Sequence, residues 1–231
     1  MGIFVVLEGL DASGKTAVSK MIEKKLSKWK VYSIVKREYF EISEDIYYEN
    51  DYIMNFQKKL NELAWKQDAD KLLCYMPVNT LGFIHAAWYE MFYLKYILDA
   101  KTRYDVILVD GWWYKTFARI MVTSDYHYKC VIALAPFLPC GDVTIFLDVE
   151  PEIAWNRRKG EFNKFERGLQ NDVLGYEMEI SSPFRQFVSF QKKTKKNILK
   201  ILPKDFIQIE TSHKDINQVT DVIVNKINQV L

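Results

Sequence analysis

Eight residues near the start of the chain, Gly9-Leu10-Asp11-Ala12-Ser13-Gly14-Lys15-Thr16, leave few folds open. They form an uninterrupted G-x-x-x-x-G-K-T. An apolar run, Ile3-Phe4-Val5-Val6-Leu7, precedes it, and a helix-like stretch over 17–28 follows. Strand, glycine-rich turn and helix in that order make a phosphate cradle. Gly9 and Gly14 let the backbone wrap closely around a phosphate chain. Successive N–H groups, running through Ser13 and Ala17, point inward as an anion nest. The helix that starts here adds its positive dipole end. Lys15 is spaced to reach the β- and γ-phosphates, and Thr16 to offer its hydroxyl to Mg²⁺.

The remaining pattern fits one α/β domain over 1–231. Short apolar strands are expected at 3–7, 31–35, 106–109, 143–149 and 206–209. Helices are expected at 15–29, 53–75, 80–100, 113–122, from Pro151 onward, 169–202 and 214–230. Residues 133–140, with two prolines, read as a connection. Strands alternating with helices predict a five-stranded, mainly parallel sheet flanked by helices. Ligands of such sheets sit at the carboxyl ends of the strands. Arg37, Asp110 and the segment after the fourth strand all fall there, with the glycine-rich loop.

A net charge of +2, with 32 basic residues interspersed among 30 acidic ones, argues against bulk nucleic-acid binding. Cys74, Cys130 and Cys140 are odd in number and widely spaced, which suits buried thiols in a reducing compartment. No apolar run approaches ~18 residues and no leader-like segment opens the chain, so a cytoplasmic protein without membrane association is expected.

Further blocks carry a resemblance. The opening FVVLEGLDASGKT, the KRE after the second strand, VILVDG, IFLDVEPEIAWNRRKG, NKFE at 163–166 and the closing FIQIETSHKDINQVTDVIVNKI occur in the order seen in thymidylate kinases. The chain resembles that family of P-loop nucleoside monophosphate kinases along nearly its whole length. The resemblance implies ATP and Mg²⁺ as cofactors, a nucleotide-like small-molecule acceptor and a homodimer packed through helices. It implies a lid at about 157–168, with Lys164 as the lid cation at the transferring phosphoryl. Arg158 is a further candidate there, and Arg157 and Thr211 fall on the adenine side. Asp11 is implied to face the acceptor side, and Arg37 the acceptor's phosphate. Asp110 ends an apolar strand, the place for an acid that supports Mg²⁺ with Thr16.

Two acceptor-side positions depart from the family pattern. Where thymidylate kinases carry Asp-Arg, this chain has Asp110-Gly111, followed by Trp112-Trp113-Tyr114-Lys115. Lys115 or Arg119 are the candidates to restore the lost charge; otherwise the acceptor lacks a phosphate at that point. The family arginine that meets the thymine ring is also absent. His85, Trp88, Tyr89 and Phe92 share a helical face there instead. That stripe reads equally as core packing or as a shelf for a flat ring, to which Phe40 would add. The leading expectation is phosphoryl transfer to a nucleoside monophosphate, dTMP-like or a modified pyrimidine nucleotide. A kinase of a nucleoside or other small alcohol, and a nucleotide-binding protein with weak catalysis, are the alternatives. A GTP-driven switch is disfavoured, because no Asn-Lys-x-Asp motif is present.

Overall fold

The apolar run at the start becomes β1 (Ile3–Gly9), the central strand of the sheet. Val5, Val6 and Leu7 are fully buried, as a strand covered on both faces requires. The computed structural model describes residues 1–35, 51–65, 78–163, 166–168 and 182–231. In order, these form β1, α1 (Lys15–Lys25), β2 (Val31–Val35), α2 (Asp51–Trp65), α3 (Val78–Phe92), a π-turn (Tyr93–Ile97), α4 (Leu98–Arg103) and β3 (Val106–Asp110). There follow α5 (Trp113–Thr123), α6 (Asp125–Leu134), a 3₁₀ turn (Ala135–Phe137), β4 (Val143–Asp148), α7 (Pro151–Arg157), α8 (Pro183–Ile201), β5 (Ile207–Glu210) and α9 (Ile216–Asn228).

The five strands lie in the order β2-β3-β1-β4-β5 and every pairing is parallel. The chain leaves β1 for one side of the sheet and later returns to the other. β1 therefore stands at the switch point where an α/β sheet opens a crevice at its carboxyl edge. Leu7 pairs with Asp110 in register, and Gly9 with Leu147, so β3 and β4 deliver their last residues beside the loop after β1.

Each sheet face has its own core. On one face Val5, Leu7, Leu108, Ile145 and Leu147 pack against α1 and α9. On the other, Phe4, Val6, Ile107, Val109 and Phe146 meet an aromatic mass from α3, α5 and α8. Trp112 and Trp113 are both buried, and their indole N–H groups donate to the same Pro139 carbonyl at 2.7 and 2.8 Å. That shared acceptor fixes the start of α5.

Several sequence expectations are corrected. The first helix ends at Lys25 rather than 29, where Leu26 caps it through a bond to the Ile22 carbonyl and Trp29 turns back onto Asn228. Residues 125–134, which gave no helical signal, form α6. Ser124 caps it by accepting from the His127 amide at 3.1 Å. The connection expected at 133–140 thus begins inside a helix. The helix expected over 80–100 continues to Arg103 through the π-turn. Of the helix expected over 169–202, residues 183–201 are helical, and 169–181 lie outside the described residues. Cys130 and Cys140, expected to be buried, are half-buried and exposed.

Candidate active site

The loop between β1 and α1 is held by its own residues. A Cβ at Gly9 would lie 2.6 Å from the Leu147 carbonyl oxygen and from Ser13 Oγ, so the close approach of β4 requires glycine there. The Lys15 ammonium donates to the Leu10 carbonyl at 2.8 Å, the Gly9 carbonyl at 3.0 Å and Ser13 Oγ at 3.3 Å. Burial around this ammonium, with Lys115 nearby, pulls its pKa down to about 8, against the pull of Asp110, Asp11 and Glu8. Thr16 Oγ1 donates to Asp110 Oδ2, joining the first turn of α1 to the end of β3. A hydroxyl and a carboxylate side by side are hard oxygen donors, which suits Mg²⁺. Among the described residues no group of three or more His, Cys, Asp or Glu side chains forms a metal cage. Mg²⁺ held with substrate phosphates and water does not need one. Ala17 sits exposed in the first turn of α1, with its backbone in the helix that faces the loop.

On the β4 side, Arg157 leaves the end of α7 and bridges two segments. One Nη donates to the Ala12 carbonyl at 3.3 Å and the other to the Thr211 carbonyl. Thr211 is buried, and its hydroxyl donates to the Asp148 carbonyl at 3.0 Å. Together with Gly14, Val18 and Val219, these residues line a cavity of about 200 Å³ beside the loop. Arg157 and Thr211 therefore meet beside the glycine-rich loop.

On the β3 side the chemistry gathers on Asp11. Lys115 Nζ donates to Asp11 Oδ1 at 2.7 Å, Arg119 to Oδ2, and Gln191 Nε2 to the same Oδ2 at 2.9 Å. Burial pushes the Asp11 carboxyl up, but Arg119, Lys115 and Lys15 outweigh it and hold it well below the usual carboxylate range. Asp11 is thus a fixed anion and a poor base. The buried Glu8 carboxylate accepts from the Gly9 amide at 3.1 Å, the Trp112 amide at 2.9 Å and the Lys115 amide at 3.4 Å. It acts as an N-cap for α5 supplied from β1, and so locks the loop and α5 together.

The segment after α7 packs onto α8. Trp155 stacks with Phe162, and Phe187 lies 4.0 Å from Phe162, centroid to centroid. Arg158 turns toward the segment after α7. It pairs with Glu166 at 2.6 Å and lies over the Phe162 ring. Asn163 and Glu166 cap one another's amides at 2.9 Å, and the Glu166 carbonyl accepts from Gln191 Nε2 at 2.9 Å. Lys164, Arg37 and Phe40 lie outside the described residues.

The aromatic stripe on α3 packs as core, not as an open shelf. His85, Trp88 and Tyr89 are all buried. Trp88 donates to Asn61 at 3.0 Å, Tyr89 sits against Trp112, and the His85 ring meets Trp65 edge-on. A mass of rings this dense gains more from mutual contact than from standing open to water. Gln191 was missed by the sequence reading, although a signal exists. It lies on the buried face of α8 with Phe187, Ile198 and Ile201, where Gln191, Thr194 and Asn197 interrupt the apolar positions.

No family model matches the chain. It is similar to the thymidylate kinase of Clostridium novyi, with 26% identity over 210 residues, covering 88% of this chain and 86% of that one. It is similar also to a probable thymidylate kinase of Saccharolobus solfataricus, with 26% identity over 230 residues, 98% of this chain and 97% of the relative. Among solved structures, thymidylate kinase from Candida albicans superposes with a TM-score of 0.62 over 99% of this chain and 92% of that one, at 19% identity. That last likeness speaks for the fold.

Proposed function

We propose that this thymidylate-kinase-like chain is an ATP-dependent nucleotide kinase that phosphorylates a nucleoside monophosphate, dTMP or a related pyrimidine nucleotide. One observation carries the reading. The loop after β1 joins a donor side, built from Lys15, the Thr16–Asp110 pair and the Arg157–Thr211 bridge, to a second charged side gathered on Asp11. Phosphoryl transfer needs that arrangement more than it needs a covalent group. Two phosphates must be held in line and the spreading charge neutralised.

Lys15 turns from the loop carbonyls to the β- and γ-phosphates, exchanging neutral acceptors for anionic ones. The loop amides from Ser13 to Ala17 hold the phosphate chain, and α1 adds its dipole. Thr16 and Asp110 would hold Mg²⁺, which would supply positive charge to offset that of the phosphates. Arg157 and Thr211 border the cavity that takes the base of ATP. Asp11, kept ionised, organises the cations opposite. The folded segment at 157–163 and 166–168 is the base of a lid that would exclude water on closing. A homodimer through α2 and α3 belongs to the same reading, as does a cytoplasmic location. No helix among the described residues is long and apolar enough to cross a membrane.

The test is conversion of acceptors by the purified chain with ATP and Mg²⁺, read by mass spectrometry. The panel holds dTMP, dUMP, other monophosphates and modified pyrimidine monophosphates. The expected result is a diphosphate product from at least one monophosphate, lost in Lys15→Ala. ATP binding without transfer to any member contradicts the reading.

A further inference from the structure

The position that would carry the acceptor-phosphate arginine is closed to it. Gly111 has φ +86°, a backbone conformation that residues with a side chain rarely adopt. The turn is pinned on both sides. The Gly111 amide donates to the Leu7 carbonyl at 2.8 Å, and the Trp112 amide to Glu8 at 2.9 Å. An arginine at 111 would have to break that turn.

One turn further on, α5 presents two cations to the loop. Lys115 and Arg119 stand four residues apart on one helical face, and their side chains are 13% and 24% exposed. Like charges at that spacing repel. Lys115 also lies in the first turn of α5, at the positive end of the helix dipole, where a cation is disfavoured. Such a pair persists only with an anion between its members. Here that anion is Asp11, 9% exposed, which binds both.

Asp11 does not fill the site. It engages Arg119 through one Nη, while Arg119 Nε is buried without a hydrogen-bond partner among the described residues. A buried donor left unmade is costly, and it marks a missing acceptor. A guanidinium binds a phosphate through two parallel N–H bonds, which would use that Nε. Asp11 is meanwhile held independently by Gln191 Nε2, so it keeps a partner if the cations leave.

We propose that Lys115 and Arg119 are the acceptor-phosphate clamp of this chain, moved from position 111 to the face of α5, and that Asp11 is the counter-ion which an incoming phosphate displaces. The inference rests on the kinase reading and sharpens it. The acceptor carries a phosphate dianion, and an uncharged nucleoside does not fit the clamp.

Steady-state kinetics with ATP test this on wild type, Lys115→Ala, Arg119→Gln and the conservative Arg119→Lys, using dTMP and thymidine as acceptors. The expected result is a KM for dTMP raised roughly tenfold or more in the first two variants, with the KM for ATP nearly unchanged. Arg119→Lys should recover only part of the loss, because lysine lacks the fork. Unchanged dTMP kinetics in Lys115→Ala and Arg119→Gln overturn the clamp and leave the kinase reading standing. Turnover of thymidine with no monophosphate accepted overturns both the clamp and the monophosphate reading. Inorganic phosphate inhibition of wild type at saturating ATP needs no variant to fold. Competition with dTMP supports the clamp, and inhibition insensitive to dTMP overturns it.

Discussion

In the proposed reading Lys15 holds the donor phosphates, and its environment makes a pH signature. Burial and Lys115 hold its folded pKa at about 8, below the unfolded value of about 10.4. Above pH 8 the free protein therefore loses the charge that ATP needs. The triphosphate stabilises the ammonium, so binding takes up a proton. Affinity for ATP should fall as pH rises past about 8, and the binding enthalpy should depend on buffer ionisation near pH 8–9. Titration calorimetry in two buffers reads this directly; a flat affinity from pH 7 to 10 would contradict it. Stability moves the other way. Between the folded and unfolded values the unfolded chain binds the extra proton, so this one group adds stability as pH rises through about 8 to 10.4. Asp11 has the same sign in a more acidic window. Its folded pKa is depressed, so its contribution is full above the unfolded value of about 3.9 and fades only as pH falls below it.

Among the elements, the strands and the loop after β1 were legible because their signals are local. A five-residue apolar run or a fixed glycine spacing needs no tertiary partner to be recognised. α6 was not legible: Asp125–Leu134 carries Tyr, His and Cys in no clear period, and its helicity comes from packing on α5 and from the Ser124 cap. The stripe on α3 was ambiguous for the same reason. Burial of His85, Trp88 and Tyr89 is decided by what faces them, including Trp65 and Trp112, which are remote in sequence. The Asp11 cluster unites the loop after β1, α5 and α8, so sequence could offer Lys115 and Arg119 as candidates but not their common partner. α2 and α3 pose a separate question. Phe56 is 51% exposed, Leu63 43% and Phe83 62%, a rate of apolar exposure that suits a helix-packed interface. Light scattering on the purified chain should give about twice the 27.3 kDa chain mass, and Phe83→Glu should shift it toward the monomer. A monomer at micromolar concentration in wild type would remove the homodimer from the account.

For the whole molecule, the all-parallel order β2-β3-β1-β4-β5 explains why the two halves meet. β3 brings Asp110 and α5 to one flank of the loop, and β4 brings Arg157 to the other, with β1 between. Donor and acceptor phosphates should therefore bind end to end across a single loop. A dinucleoside pentaphosphate joining adenosine to thymidine would span both halves, and its binding by titration calorimetry is the most direct measurement. The account predicts one molecule per chain, held more tightly than ATP alone because the second half binds intramolecularly. ATP and dTMP should each displace it, and Lys15→Ala and Arg119→Gln should each weaken it. Binding no tighter than ATP, displaced by ATP but indifferent to dTMP and to Arg119→Gln, would contradict it.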